Sequence, residues 1–244
     1  VGSMFATLVV GSFLFQGSGE AGNGASAVVP YTIMGVLVLL IALVFSRVNL
    51  PEIAHDDDAE TKEGGHNISK LFSNRWFVCG LIALLAYEVA EISINSYFIN
   101  FVTGEGWMDA QSASTILTIG LGVFMIARFI GAAVMSSVAA EKYLLICGVG
   151  TVVCITLLLC DLGREVSIAA LLGNYFFEAI MFPTIFSLTL RGLGGLTKSA
   201  SSILMMTPVG GCGFLIMGLA ADHASSVVLP FFIPLAGYAI VMAY

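Results

Sequence analysis

The stretch YEVAEISINSYFINF, residues 87–101, sets Glu88, Glu91 and Asn95 three and four residues apart in an otherwise apolar run. At 3.6 residues per turn their side chains fall within an arc of roughly 60° on one helix face, with Tyr87 and Phe98 at its edge. Ionisable groups inside such an apolar run are costly and normally face a cavity or a partner. Glu91, Asn95, Tyr87 and Glu88 are therefore candidate substrate-binding residues; the competing use is hydrogen bonding between helices and nothing more.

A second polar set lies in GNYFFEAIMFPTIF, where Asn174, Tyr175 and Glu178 share a face at i, i+1, i+4. Asn174 and Tyr175 join the candidate lining. Pro183 follows five residues after Glu178, and a proline in a spanning helix frees a carbonyl that a cavity or a neighbour must satisfy. Arg128, in VFMIARFIGAAV, is the only basic residue deep within an apolar run. A charge at that depth faces a cavity or a partner, so Arg128 and Glu178 are expected to form a structural ion pair. A third region, MMTPVGGCGFLIMG, carries Pro208, Gly210 and Gly211. It reads either as a discontinuous helix, a transporter hinge or binding element, or as close packing through small residues.

Nothing points to catalysis. HExxH, GxSxG and P-loop patterns are absent, and His55, His66 and His223 are too scattered for a metal or acid–base site. Cys79, Cys147, Cys154, Cys160 and Cys212 lie in or beside apolar runs without a CxxC pair, so they read as small hydrophobes. Asn67-Ile68-Ser69 matches a glycosylation sequon, but on the side assigned below to the cytoplasm, where it is a chance tripeptide.

The elements that must position these residues follow from composition. The chain is 58% hydrophobic and 10% charged, whereas soluble domains carry about a quarter charged residues. Long continuous apolar runs, rather than alternating ones, define an all-α integral membrane protein whose surroundings are the lipid bilayer. The charge balance excludes nucleic acid as a partner; the net charge of −7 is local, because six of the sixteen acids fall in residues 52–63. A spanning helix needs about 20 apolar residues, which gives candidate spans at 1–16, 28–47, 76–103, 113–138, 142–161, 166–190, 199–220 and 228–244. The acidic stretch 52–73 reads as a flexible connection. The chain opens without an initiator methionine inside one apolar run and closes inside another, the pattern of a fragment.

Orientation comes from the nine lysines and arginines. Arg47, Lys62, Lys70, Arg75, Arg128, Lys142, Arg191 and Lys198 fall on the linker side and Arg164 alone falls opposite, so the positive-inside rule makes linker 48–75 cytoplasmic.

Residues 181–204, MFPTIFSLTLRGLGGLTKSASSIL, resemble the signature between the tenth and eleventh helices of the fucose–galactose–glucose:proton symporters, a branch of the major facilitator superfamily. AYEVAEISINSYFINF is similar to that family's seventh helix and ARFIGAAV to its eighth. The likeness is collinear over roughly residues 76–222, including MMTPVGGCGFLIMGLAAD. It implies a truncated helical bundle covering about helices five to twelve. Residues 1–47 would be the last two helices of the N-terminal half, 48–75 the linker, and 76–244 the six-helix C-terminal half. It also implies a monomeric plasma-membrane carrier of a hexose or deoxyhexose working by alternating access, with protons as the coupling ion and no cofactor. A non-transporting membrane sugar sensor and a carrier of another solute are the alternatives.

By match, Glu91 takes a seventh-helix position where the family places Glu or Gln, and Asn95, Tyr97 and Asn100 lie in the same stretch. Glu88 departs from the pattern, falling where the family has an apolar residue. The loop after ARFIGAAVMSS keeps only Lys142 of its basic residues. The acids credited with coupling lie on the family's first and fourth helices and its fifth-helix amide would precede Val1, so none has a counterpart here.

Overall fold

The computed structural model describes residues 24–47, 64–224 and 226–244. Its helices are α1 (Gly24–Arg47), α2 (Gly64–Ser73), α3 (Arg75–Gly104), α4 (Ala110–Val134), α5 (Ala140–Leu159), α6 (Arg164–Glu178), α7 (Met181–Leu190), α8 (Thr197–Leu204), α9 (Gly213–His223) and α10 (Phe232–Ala243). Short 3₁₀ turns cover Gly194–Leu196, Thr207–Cys212 and Leu229–Phe231. There is no strand among the described residues. The expected span 1–16 and linker residues 48–63 lie outside them.

Among the described residues, five helical stretches are long and apolar enough to cross a membrane: α3, α4, α5, Arg164–Leu190 and Gly194–His223. The last two are interrupted. Arg164–Leu190 breaks at Ala179–Ile180 into α6 and α7, just ahead of Pro183. Gly194–His223 is divided by the 3₁₀ turn Thr207–Cys212, which holds Pro208, Gly210 and Gly211. Both breaks sit beside a proline that removes a backbone donor, and at the second Gly210 and Gly211 also lower the cost of leaving the α-helix.

Residues 64–73, expected within a flexible connection, are instead helical. Leu71 is fully buried and this helix packs against α3, which anchors the end of the expected linker to the bundle.

Helix α3 is the axis of the assembly, packing against α4, α7, α9, α10 and the turn Thr207–Cys212. Asn74 caps its start, accepting from the Trp76 N–H at 3.0 Å. Asp109 caps α4, accepting from the backbone of Gln111 and Ser112 at 3.1 and 3.3 Å. An aromatic cluster closes this end: Phe101 meets Phe231 with ring centroids at 5.0 Å and Trp107 at 5.3 Å, both edge-on. Close approach also needs glycine. A Cβ on Gly213 would stand 2.6 Å from Val89 of α3, and one on Gly120 of α4 would stand 2.6 Å from the Tyr175 ring. The outward faces are apolar, with Ile82, Phe129, Leu145 and Ile146 exposed, as a lipid-facing surface requires.

Candidate functional site

The polar face of α3 is divided by its neighbours. Glu88 turns toward the broken segment: a Cβ on Gly210 would lie 3.2 Å from the Glu88 Cβ. It is buried, and no described hydrogen bond reaches its carboxyl. Tyr87 and Phe98 are fully buried on another side, Tyr87 with its ring 6.3 Å from Phe182 of α7 and Phe98 with its ring 6.4 Å from Tyr175 of α6. Glu91 and Asn95 alone among the expected binding residues keep part of their surface, with Ser96 and Asn100 exposed beyond them. The Asn95 Oδ1 is enclosed and has no partner.

Behind that face lies a sealed polar cluster. Glu178, Asn174, Tyr175 and Tyr238 are all fully buried. The Tyr238 hydroxyl and the Asn174 Nδ2 both donate to Glu178 Oε2, the latter at 2.7 Å, and the same Nδ2 lies 3.2 Å from the Tyr238 oxygen. Asn174 and Tyr175, expected as lining of an open cavity, are therefore enclosed, and so is Tyr87. Helix packing has turned them inward, where Asn174 serves the Glu178 carboxyl and Tyr87 its main-chain carbonyl, while the Tyr175 hydroxyl finds no partner.

The expected Arg128–Glu178 ion pair is not formed. Arg128 instead donates from Nε to the Ala179 carbonyl at 2.9 Å and lies 4.6 Å from the centre of the Phe124 ring. The reason is Pro183. Ala179 is the residue whose carbonyl a helical N–H at position 183 would satisfy, and proline has none. The adjacent Glu178 carbonyl accepts from the Tyr87 hydroxyl at 3.0 Å. Two side chains from α3 and α4 thus cap the backbone that the break exposes. Pro183 itself is exposed. Arg128 still acts electrostatically on both Glu91 and Glu178, and Glu91 lies near Tyr87.

Tyr238 was not among the residues singled out from sequence. Its only signal is a hydroxyl in the apolar run FIPLAGYAIVMA, which must find a partner when buried. A cavity of about 730 Å³ opens away from this cluster, lined by Asn74, Trp76, Leu145, Thr189, Tyr244 and the hydrogen-bonded pair Arg191–Glu141.

Broken apolar helices packed about one polar-faced helix define a multi-pass membrane protein, and comparison with known proteins places it. The chain is 31% identical over 221 residues to the glucose/galactose transporter of Brucella abortus, covering 88% of this chain and 52% of that one. It is 31% identical over 224 residues to the L-fucose-proton symporter of Escherichia coli, covering 88% and 50%. The major facilitator superfamily transporter FucP, solved in an outward conformation, superposes with a TM-score of 0.71 at 29% identity, covering 90% of this chain and 54% of that one. No family model matches. The fold is that of about half of a major facilitator superfamily helical bundle. The relatives that the chain matches are named as glucose/galactose transporters and L-fucose-proton symporters, so the chain resembles the fucose–galactose–glucose:proton symporter branch of that superfamily. It spans about half the length of the curated relatives it matches.

Proposed function

We propose that this chain is part of a secondary-active carrier of a hexose or deoxyhexose, coupled to protons and working by alternating access in the plasma membrane. Residues 1–47 supply the last helices of one half, 48–75 a cytoplasmic linker, and 76–244 the other half. The observation that carries the reading is the partly exposed Glu91–Asn95 face of α3, which offers carboxylate and amide groups on a helix long and apolar enough to cross a membrane. Relatives named for glucose, galactose and L-fucose support a sugar as its occupant. Pro183 and the Pro208–Gly211 turn are the hinge points, because at both breaks the backbone is released from the regular helical ladder.

The test is uptake by the intact protein in proteoliposomes. Glu91→Ala is expected to reduce sugar uptake strongly with expression unchanged, since removing the acceptor for a buried sugar hydroxyl costs about 1–3 kcal/mol. Unaltered uptake kinetics would overturn the assignment of Glu91. Sugar binding without uptake by the wild type would instead favour a sensor, and uptake of a different solute another carrier.

A further inference from the structure

Three enclosed oxygens without partners lie on one turn of α6: Asn174 Oδ1, the Tyr175 hydroxyl and Glu178 Oε1. Glu178 Oε2 is fully engaged by Tyr238 and Asn174, so the carboxyl is satisfied on one oxygen and bare on the other. Two of these three atoms can only accept, and what the cluster lacks is a donor.

The charge inventory points the same way. From α3 the cluster is faced by Tyr87 and Glu91, with Glu88 acting on Glu91 from behind. From α4 it is faced by Arg128, from α5 by Cys154, and from α10 by Tyr238. Helix α7 carries no titratable residue. Glu91 and Glu178 are thus two carboxylates against one guanidinium, and that guanidinium is spent on the Ala179 carbonyl and the Phe124 face. An interior of low dielectric does not leave such a charge uncompensated. A sodium ion needs more oxygen ligands than the three atoms left free. A proton needs no room, cancels the charge and is itself the missing donor.

Between the cluster and the candidate substrate face stands Glu91. The Tyr87 hydroxyl bridges from the Glu178 main chain to the neighbourhood of the Glu91 carboxyl, and Glu91 is the member of the set that keeps exposed surface.

We propose that Glu178 takes up and releases a proton in this chain, and that Glu91 is the group through which it exchanges with the candidate sugar site. On uptake an O–H bond forms at the Glu178 carboxylate, the proton coming from water by way of Glu91; on release that bond breaks and the proton returns to water. The site is additional to the acids that the family resemblance places on the first and fourth helices. Its role in coupling rests on the transporter reading; its occupancy does not.

The experiment therefore has two arms on the intact reconstituted protein. Infrared difference spectra between acidic and alkaline pH are expected to show a protonated-carboxyl band that Glu178→Gln removes, Glu91→Gln retains and sodium at constant pH leaves unchanged. Persistence of the band in Glu178→Gln, or its loss on adding sodium, overturns the proposal. Should Glu178→Gln fail to assemble, Tyr238→Phe keeps the carboxyl and removes its donor, and is expected to move the midpoint of the titration; an unmoved midpoint overturns it. In the second arm, with radiolabelled L-fucose, D-galactose and D-glucose, Glu178→Gln is expected to keep sugar exchange and lose accumulation driven by a pH gradient. Equal loss of both marks a structural role and overturns the coupling. A wild type that moves none of these sugars defeats the transporter reading alone, with the infrared arm still deciding the site.

Discussion

At the scale of single residues, the informative group is a guanidinium that serves a backbone carbonyl instead of a carboxylate. Arg128 and Tyr87 hold the two carbonyls at the α6–α7 break, and they are not equivalent. Hydrogen bonds between membrane helices average about 0.6 kcal/mol, with a maximum of about 1.7. Tyr87→Phe, which deletes one hydroxyl and keeps the ring packing, should cost about that average. Arg128→Ala leaves the Ala179 carbonyl without either its backbone donor or its substitute, and a buried unpaired acceptor costs about 1–3 kcal/mol. Thermal denaturation in detergent should therefore rank Arg128→Ala well below Tyr87→Phe, with Tyr87→Phe close to wild type. The reverse order would mean that the capping of Ala179 is dispensable.

At the scale of elements, helix ends and helix breaks decide which side chains meet. The α4 start depends on Asp109, whose Oδ1 also accepts from the Ser112 hydroxyl at 2.7 Å. That bond, with the Ser112 backbone N–H, holds the exposed Asp109 carboxyl below the usual carboxylate range. A carboxyl depressed in the folded state contributes stability that is present above its unfolded value, about 3.9, and is lost as pH falls through the folded one. Asp109→Ala should thus lower the melting temperature at neutral pH, and the gap to wild type should narrow as the pH drops below the ordinary carboxylate range. A gap that stays constant with pH would show that the charge on Asp109 contributes nothing to the cap.

At the scale of the molecule, what could be read from the chain was whatever a local signal carries. Pro183 and the Pro208–Gly211 run announce their breaks because proline and glycine act on their own backbone. The lipid-facing surface follows from composition alone. The sealed cluster could not be read, because its closing member, Tyr238, stands 60 residues from Glu178 and nothing near it marks the meeting. The roles of Glu88 and Glu91 could not be separated either. An arc of roughly 60° is narrow on a helical wheel, yet the turn at Gly210 takes one side of it and Arg128 the other. Membrane orientation rests on charge bias, and the chain carries its own reporter for it. Cys160 is exposed just past the end of α5, on the side of Arg164 and opposite the linker. In intact cells a membrane-impermeant maleimide should label Cys160. In a Cys160→Ser background, Lys142→Cys at the other end of α5 should react only after permeabilisation. Labelling of Lys142→Cys from outside would invert the topology, and with it the side from which Glu91 is first reached.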